Sequence, residues 1–303
     1  KLIISFTKSH FSDATFSNIS FTLYSINLLS LYMPELPEVE TTIRYLSSKV
    51  KGKKILQIKK SDKKLRKNLT LKDLSIIHNK KIINIKRIAK YIVIELSGQM
   101  YLIIHLGMSG RLKFLPKLHS GEKHDHLRLT FSNFLVVFND PRRFGMTFLL
   151  TNLEMVNQFF NHYGYDPLQD KFKIKQIYTN ISNKNISVKQ FLLDQKYFVG
   201  IGNIYANEIL FLSLILPTRP VHSLNYEEFM NLVKCIKKIL IIAIKKGGSS
   251  INDYKAPDGV LGSFQNFFKV YQKETIKIKN KTYLVKKITQ NGRSTFYCPA
   301  LQI

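Results

Sequence analysis

The pattern of apolar and polar positions divides the chain after residue 32 into a strand-like first half and a helical second half. A helical spacing runs through Val39, Ile43 and Leu46 and ends before Gly52. Short apolar runs follow, several of them alternating with polar residues and broken by Ser-Gly or Ser-Asn pairs, which predicts an antiparallel β-sandwich or barrel. These runs lie at 55–58, 82–85, 91–96, 101–106, 127–131 and 135–138.

The second half begins after a turn cluster, YGYDP at 163–167, which is the predicted domain boundary. Helical patterns occupy 188–193, 204–214 and 226–245. Two final strands, 282–288 and 295–298, flank an Asn291-Gly292 pair, the typical turn of a β-hairpin because both of its positions need positive φ. The whole pattern predicts an α+β fold with parts at 33–165, 166–265 and 266–303.

Residues 1–32 differ from the rest of the chain in composition. They hold three charged side chains, Lys1, Lys8 and Asp13, and are rich in Ser, Phe, Leu and Ile. A segment poor in acids and rich in Ser is typical of transit peptides, but Arg is missing here. We interpret this stretch as a non-native or leader extension and Met33 as the true start. That interpretation predicts a bacterial cytoplasmic protein, whereas a genuine transit peptide predicts an organellar one.

The charge balance narrows the class of partner. The chain has 47 Lys and Arg against 20 Asp and Glu, a net charge of +27. Such an excess favours a polyanion such as nucleic acid as the binding partner, because neutralised phosphates release their counterions. The alternative explanation is the codon usage of an A/T-rich genome, which also enriches Lys. Cys235 and Cys298 are too few for a disulfide framework and fit a reducing compartment. No apolar stretch reaches the roughly 20 residues of a membrane span, so we expect no membrane partner.

Seven short motifs stand in order between residues 33 and 298. They are MPELPEVET at 33–41, RIAKY at 87–91, HLGMSG at 105–110, EKHDH at 122–126, DPRRFG at 140–145, VGIGNIYA at 199–206 and STFYC at 294–298. Together they resemble formamidopyrimidine-DNA glycosylases over nearly all of the chain after residue 32. The resemblance implies an N-terminal β-sandwich domain, a C-terminal helical domain with a helix–two-turn–helix, and a finger hairpin. It also implies a monomer that binds damaged double-stranded DNA in a basic cleft.

The activity that the resemblance implies is removal of oxidised purines, such as 8-oxoguanine and formamidopyrimidines, followed by β- and δ-elimination. The reaction passes through a Schiff base on an N-terminal proline, here Pro34 after loss of Met33. A terminal amine titrates at about pH 8 and is nucleophilic when neutral. The adjacent Glu35 can protonate the opening sugar. The alternative for Pro34 is that it only opens the first turn of a helix.

Lys90 and Arg293 complete the predicted catalytic set. Lys90 stands at the start of an apolar strand, and the resemblance implies that it contacts a phosphate near the lesion and assists elimination. The alternative is a strand-end lysine that extends its amine to solvent. Arg293 follows the Asn-Gly turn, and the resemblance implies that it enters the DNA and supports the final elimination.

Three further residues match the family set that fills the gap left by an extruded base: Met108, Arg142 and Phe144, here called the plug set. Ordinary core packing is the alternative for Met108 and Phe144. His124 and Lys184 correspond to phosphate contacts of the family, or else to solvated surface residues.

Asn203 follows two glycines, at 200 and 202, before a predicted helix. Glycines at that place allow a phosphate to approach free backbone N–H groups at the helix start. The resemblance implies that Asn203 grips the DNA backbone there.

The finger departs from the family pattern, which usually holds zinc with four cysteines. Only Cys298 remains, and the other three positions hold Ile278, Lys281 and Leu301. One thiolate cannot hold structural zinc, so we expect no metal and no cofactor, as in the zincless fingers of other superfamily members. Apolar packing is then expected to replace the metal, from Tyr283, Val285, Phe296 and Tyr297.

Three alternatives remain open. An endonuclease VIII-type relative, acting on oxidised pyrimidines, is disfavoured by Leu36 and the plug set but favoured by the zincless finger. A catalytically inactive DNA-binding relative is disfavoured because Glu35, Lys90 and Arg293 are all present. A generic basic RNA-binding protein is disfavoured by the ordered motifs.

Overall fold

Two four-stranded antiparallel sheets form the first half of the protein and pack face to face. The structure, a computed structural model, describes residues 33–169, 174–250 and 255–303, so the interpretation of residues 1–32 lies outside the described residues. The elements of this half are α1 (Leu36–Val50), β1 (Gln57–Lys60), α2 (Leu71–Ile77), β2 (Ile82–Ile88), β3 (Tyr91–Leu96), β4 (Met100–His105), β5 (Arg111–Pro116), β6 (Asp125–Thr130), β7 (Phe134–Asn139), β8 (Met146–Leu150) and α3 (Leu153–Phe160).

The strand order is β1-β6-β7-β5 in one sheet and β2-β3-β4-β8 in the other. Every neighbouring pair is antiparallel, which confirms the predicted sandwich. β3 coincides with its predicted range. The sequence pattern does not predict β5 and β8, because their apolar runs are short and pairing with β7 and β4 decides their conformation.

In the sheet β2-β3-β4-β8, the central strands β3 and β4 are buried on both faces, which explains their continuous apolar runs. Ile92 and Ile94 of β3 belong to the core between the two sheets. Tyr91 and Val93 belong to a second core, on the other face, where α3 packs. Each buried side chain of this size contributes about 1.5–3 kcal/mol by leaving water. The turn between β2 and β3 is therefore supported by a strand that is packed on both faces.

Helices form the second half. They are α4 (Ile174–Ile181), α5 (Val188–Leu193), α6 (Asn203–Ser213) and α7 (Tyr226–Lys245), with 3-10 turns at Val221–Ser223 and Phe264–Phe267. The last three helices match their predicted ranges within one residue, and α4 is not predicted. Asn225 and Glu228 close a capping box at the start of α7. α6 is buried on nearly all sides. No described helix is both long and apolar enough to cross a membrane.

Two hairpins end the chain. β9 (Thr275–Ile278) pairs with β10 (Lys281–Leu284), and β11 (Lys286–Gln290) pairs with β12 (Arg293–Tyr297) to form the finger hairpin. Asn291 and Gly292 have φ values of 49° and 71°, which confirms the predicted turn. The single strand expected over 282–288 is wrong. Val285 separates β10 from β11, because the two strands pair with different partners and its N–H donates to the Glu274 carbonyl at 2.8 Å.

Candidate active site

The candidate active site is built around the carboxyl group of Glu35, which directly precedes α1. The residue is 3% exposed. Its Oε2 accepts a hydrogen bond from the Gly202 N–H at 2.7 Å, and its Oε1 accepts one from the Ile204 N–H at 3.0 Å, at the start of α6. Burial raises the pKa of Glu35 to about 7, although the charge of Lys90 opposes the rise. A carboxyl group with this pKa can both give and take a proton near neutral pH.

The glycines before α6 serve this carboxylate and do not form an open anion site. A Cβ on Gly202 would collide with the carboxyl group of Glu35. The Gly202 and Ile204 N–H groups, expected to be free for a DNA phosphate, are occupied by Glu35, so that expectation is wrong for them. The start of a helix attracts any anion, and here an internal carboxylate occupies it.

Lys90 lies at the tight turn between β2 and β3, within the electrostatic field of Glu35. Ala89 before it has a left-handed φ of 52°. Arg87 stabilises this turn, since its Nη1 donates to the Ala89 carbonyl at 3.1 Å while its Nη2 donates to Asp166 at 2.7 Å. Burial lowers the pKa of Lys90, and the charge of Glu35 raises it. The fold therefore brings together two residues that were predicted from separate motifs.

Arg293 is exposed at the tip of the finger hairpin, whose second strand is bound to α5 and α6. The Ser294 carbonyl accepts hydrogen bonds from Asn203 Nδ2 and from Lys189 Nζ, each at 3.0 Å. Lys189 Nζ also donates to Thr295 Oγ1 at 2.7 Å. Asn203 thus holds protein backbone in this structure, and it links the start of α6 to the strand that carries Arg293.

Lys189 is a site residue that sequence reasoning missed. It is 1% exposed. Burial, together with the charge of Arg293, lowers the pKa of Lys189 to about 7, and the charge of Glu35 opposes this. The signal in the sequence was a lysine within a short apolar helix, VKQFLL, where a charged side chain needs buried partners.

Glu38 belongs to the first motif, MPELPEVET, but was not predicted as a site residue. Its Oε2 accepts the Glu35 N–H at 2.9 Å. Its Oε1 accepts the Tyr205 hydroxyl at 2.6 Å and the Ser249 N–H at 2.7 Å. Burial raises the pKa of Glu38. These contacts join α1, α6 and the loop after α7, so Glu38 positions Glu35.

His105, at the end of β4, is a neutral imidazole near Lys90. Its Nδ1 accepts the Gly107 N–H at 3.1 Å, which leaves the proton on Nε2. Burial, with the charges of Lys90 and Arg66, lowers the pKa of His105 to about 4. Its ring centre lies 4.6 Å from that of Tyr91. A neutral imidazole of this kind can donate a hydrogen bond to an anion at the site.

The plug set is brought together by the loops at 106–110 and 140–145. The Arg142 guanidinium lies 5.4 Å from the centre of the Phe144 ring, and Phe144 is 46% exposed. Met108 is half-buried in the facing loop. The two loops approach closely at Gly107, where a Cβ would collide with the backbone of Phe144. An exposed aromatic ring beside an arginine suits stacking against a base.

Asp140 bonds to both loops that carry the plug set. It belongs to the motif DPRRFG but was not predicted as a site residue. It is fully buried. Its Oδ1 accepts the Ser109 hydroxyl, and its Oδ2 accepts the Gly145 N–H at 2.8 Å. Ser109 Oγ in turn accepts the Arg142 N–H at 2.9 Å. A buried carboxylate thus holds both loops in one arrangement.

His124 and Lys184 are the two remaining predicted residues, and the structure places them in different parts of the protein. His124 is half-buried, and its carbonyl accepts the Asp140 N–H at 3.0 Å, so it lies beside the 140–145 loop of the plug set. Lys184 is exposed on the turn after α4, and its contacts are with Ile181 and His222 through its backbone. It does not join the buried cluster around Glu35. Among the described residues no group of three or more His, Cys, Asp or Glu is arranged to hold a metal ion.

These features define a basic protein of two parts, a β-sandwich and a helical half, with the buried carboxyl group of Glu35 bound where the two parts meet. The family model of the formamidopyrimidine-DNA glycosylase N-terminal domain matches residues 33–147, and that of the formamidopyrimidine-DNA glycosylase H2TH domain matches residues 163–255. The chain belongs to the formamidopyrimidine-DNA glycosylase family.

Relatives and solved structures support the same family. The formamidopyrimidine-DNA glycosylase of Wolbachia from Drosophila simulans is 42% identical over 271 residues, covering 89% of this chain and 100% of the relative. That of Zymomonas mobilis is 42% identical over 272 residues, with the same coverage. The structure of a mutant of the Lactococcus lactis protein, in complex with Fapy-dG-containing DNA, has a TM-score of 0.82 at 33% identity, covering 89% and 99% of the two chains.

Proposed function

We propose that this chain, a DNA glycosylase of base excision repair by its family, excises oxidised purines from damaged double-stranded DNA and then cleaves the strand. The observation that carries the proposal is the buried carboxyl group of Glu35. It is bound to the start of α6, directly follows Pro34 in the chain and lies in the field of Lys90. An acid–base group beside a secondary amine is the pair that glycosylase chemistry through a Schiff base requires.

The first step joins the Pro34 nitrogen to C1′ of the damaged nucleotide. Protonated Glu35 gives its proton to O4′, and the C1′–O4′ bond breaks. The neutral amine adds to C1′, the bond from C1′ to the base breaks, and the base leaves with the proton that the amine loses, so an iminium remains. In a peptide bond to Met33 the nitrogen has no available lone pair, so the active form must begin at Pro34.

The second stage cleaves the strand. The Glu35 carboxylate takes a proton from C2′, and the C3′–O bond breaks as phosphate leaves. Loss of a further proton, from C4′, breaks the C5′–O bond as the second phosphate leaves, and water hydrolyses the iminium, which frees Pro34. Lys90 and Arg293 are the cations that stabilise the departing phosphates. The plug set fills the space of the extruded nucleotide, and His124 and Lys184 contact the DNA backbone. Asn203, which donates to the Ser294 carbonyl, positions the strand that carries Arg293.

The proposal is tested by product analysis with three duplexes: 8-oxoguanine opposite cytosine, thymine glycol opposite adenine, and undamaged DNA. The protein begins at Pro34, and products are separated on a denaturing gel. We expect fastest cleavage of the 8-oxoguanine strand, with ends typical of β,δ-elimination. Faster cleavage at thymine glycol would favour the endonuclease VIII-like function. Tight binding without any product would identify an inactive DNA-binding relative.

Lys189→Met is expected to slow strand cleavage by about tenfold to a hundredfold while base removal falls less. The change removes both hydrogen bonds of Nζ to β12 and releases the strand that carries Arg293. Single-turnover rates on a preformed abasic site and on an 8-oxoguanine duplex separate the two steps. Lys234→Met, on an exposed position of α7, is the matched control. Equal losses in both steps would contradict this positioning role.

Asp140→Ala is expected to weaken binding to a duplex with a tetrahydrofuran abasic analogue by about tenfold. It leaves the Ser109 hydroxyl and the Gly145 N–H without their acceptor, at a cost of about 1–3 kcal/mol each, and loosens the plug set. Fluorescence anisotropy measures the affinity, and a thermal melt measures the loss of stability. Asp62→Ala, at an exposed position, should change neither. An unchanged affinity with a lowered melting temperature would show that Asp140 serves only folding.

A further inference from the structure

The finger region lacks the donors that a zinc ion needs. At the family's four ligand positions, Ile278 and Lys281 face each other across the β9–β10 turn, and both are exposed. Leu301 is half-buried, and only Cys298, which is fully buried, offers a sulfur atom. The alkyl side chains of Ile278 and Leu301 provide no lone pair, and lysine is not among the Cys, His, Asp and Glu side chains that bind zinc in proteins. The residues present do not fit the ion.

The second strand of the finger hairpin is fixed to α6 by a side chain that bonds to its backbone. Asn207 Oδ1 accepts the Phe296 N–H at 2.7 Å. The Phe296 ring packs against Tyr271 with 5.2 Å between ring centres. Phe296 is buried, but the other three residues expected to replace the metal by apolar packing are half-buried, namely Tyr283, Val285 and Tyr297. Apolar packing alone therefore does not replace the ion, which corrects that expectation.

The chain just before β9 is bound to the same helix. Glu208 is 1% exposed, and its carboxylate accepts three backbone hydrogen bonds. The donors are the N–H groups of Lys269 at 2.8 Å, Val270 at 3.0 Å and Tyr271 at 2.8 Å. One carboxylate thus orders three successive residues at the base of the finger.

The chain just after β12 is bound to the loop that follows α6. Gln302 is 1% exposed. Its Oε1 accepts the Cys298 N–H at 2.8 Å, and its Nε2 donates to the Ile215 carbonyl at 2.8 Å. Ile303 adds two backbone hydrogen bonds of 2.9 Å each with the ends of the 214–216 loop. One side of the finger is therefore bound to α6 and the other to the loop that directly follows α6.

We propose that three buried side chains, Asn207, Glu208 and Gln302, hold the finger in place without a metal ion; they are called the anchor set. A zinc ion in such a finger stabilises the fold by joining the chain on both sides of the hairpin. Here α6 and its following loop make that connection through polar side chains whose hydrogen bonds are shielded from water. The proposal concerns folding and is independent of the lesion that the protein removes.

The first test uses the unaltered protein. Metal content is measured by mass spectrometry of the purified protein, and thermal melts and hydrogen exchange are recorded with and without 1,10-phenanthroline. We expect no stoichiometric zinc, an unchanged melting temperature and unchanged exchange in residues 286–303. One zinc per chain, or faster exchange in that segment after chelation, would overturn the proposal.

The second test removes one anchor. Gln302→Ala leaves the Cys298 N–H and the Ile215 carbonyl without partners, so the melting temperature is expected to fall by about 3–6 °C. Hydrogen exchange should accelerate in β11 and β12 and stay unchanged in β2 to β4. Gln158→Ala, at an exposed position of α3, is the matched control. Unchanged exchange in β12 of the Gln302→Ala variant would show that the anchor set does not hold the finger.

Discussion

A protein that begins at Pro34 is expected to form a borohydride-stable covalent complex with an 8-oxoguanine duplex, whereas a protein that retains Met33 is expected to form none. The amine of Pro34 is the proposed nucleophile, and acylation removes its lone pair. The loss of a nucleophile is among the largest effects on an enzyme, so we expect the rate of base removal to fall by at least about 10³-fold.

The experiment compares the protein beginning at Pro34, the same protein with Met33 retained, and the 303-residue form. Mass spectrometry establishes each N-terminus before the reaction. Binding to a tetrahydrofuran duplex serves as the control and should be nearly equal in the first two proteins. A trapped complex from the protein with Met33 would assign the nucleophile to another amine, such as that of Lys90. No complex from any of the three, with binding intact, would leave only a DNA-binding function.

Glu35→Gln is expected to slow base removal by about 10²–10⁴-fold, the usual contribution of general acid–base catalysis. The amide cannot deliver a proton to O4′. It also turns an NH₂ group towards one of the two N–H donors at the start of α6, where both carboxylate oxygens now accept. A thermal melt is therefore needed to separate lost chemistry from lost stability. Glu228→Gln, which removes a capping carboxylate of α7, is the matched control for stability.

The pH dependence gives an independent check on Glu35. Its pKa of about 7 means that the proton donor is lost as the pH rises through 7, so base removal in the unaltered protein should fall on the alkaline side. The pKa lies above the ordinary 4.5, so the folded state binds this proton more tightly than the unfolded chain. The Glu35 contribution to the free energy of unfolding should therefore rise as the pH falls from about 7 towards 4.5. Glu35→Gln should remove both effects, and an unchanged alkaline fall would assign it to another group.

Local patterns predicted the elements whose conformation depends on nearby residues. The run at 91–96 is recognisable because a sheet buried on both faces needs apolar residues at every position. The turn at Asn291 and Gly292 is recognisable because few residues adopt positive φ. Val285 shows the limit of such patterns, since the break between β10 and β11 depends on which strands pair.

Motifs identified Pro34, Glu35, Lys90 and Arg293 as candidate residues, but the contacts that set their chemistry depend on partners far along the chain. Glu35 is bound by N–H groups 167 and 169 residues away. Lys189 bonds to residues 105 and 106 positions away. Burial is the main cause of the shifted pKa values of Glu35 and Lys189, and burial follows from the packing of several elements together.

The sequence by itself determined the α+β composition, the finger turn, the basic charge and the motif residues, because each depends on residue type and short spacing. Only the tertiary structure decided that Glu35 occupies the start of α6 and that Lys189, Glu38 and Asp140 support the site. It alone also decided that side chains of α6 bond to the backbone of the finger hairpin. The physical reason is that a buried polar group must find its partner inside the folded protein, and packing of distant segments determines which partner that is.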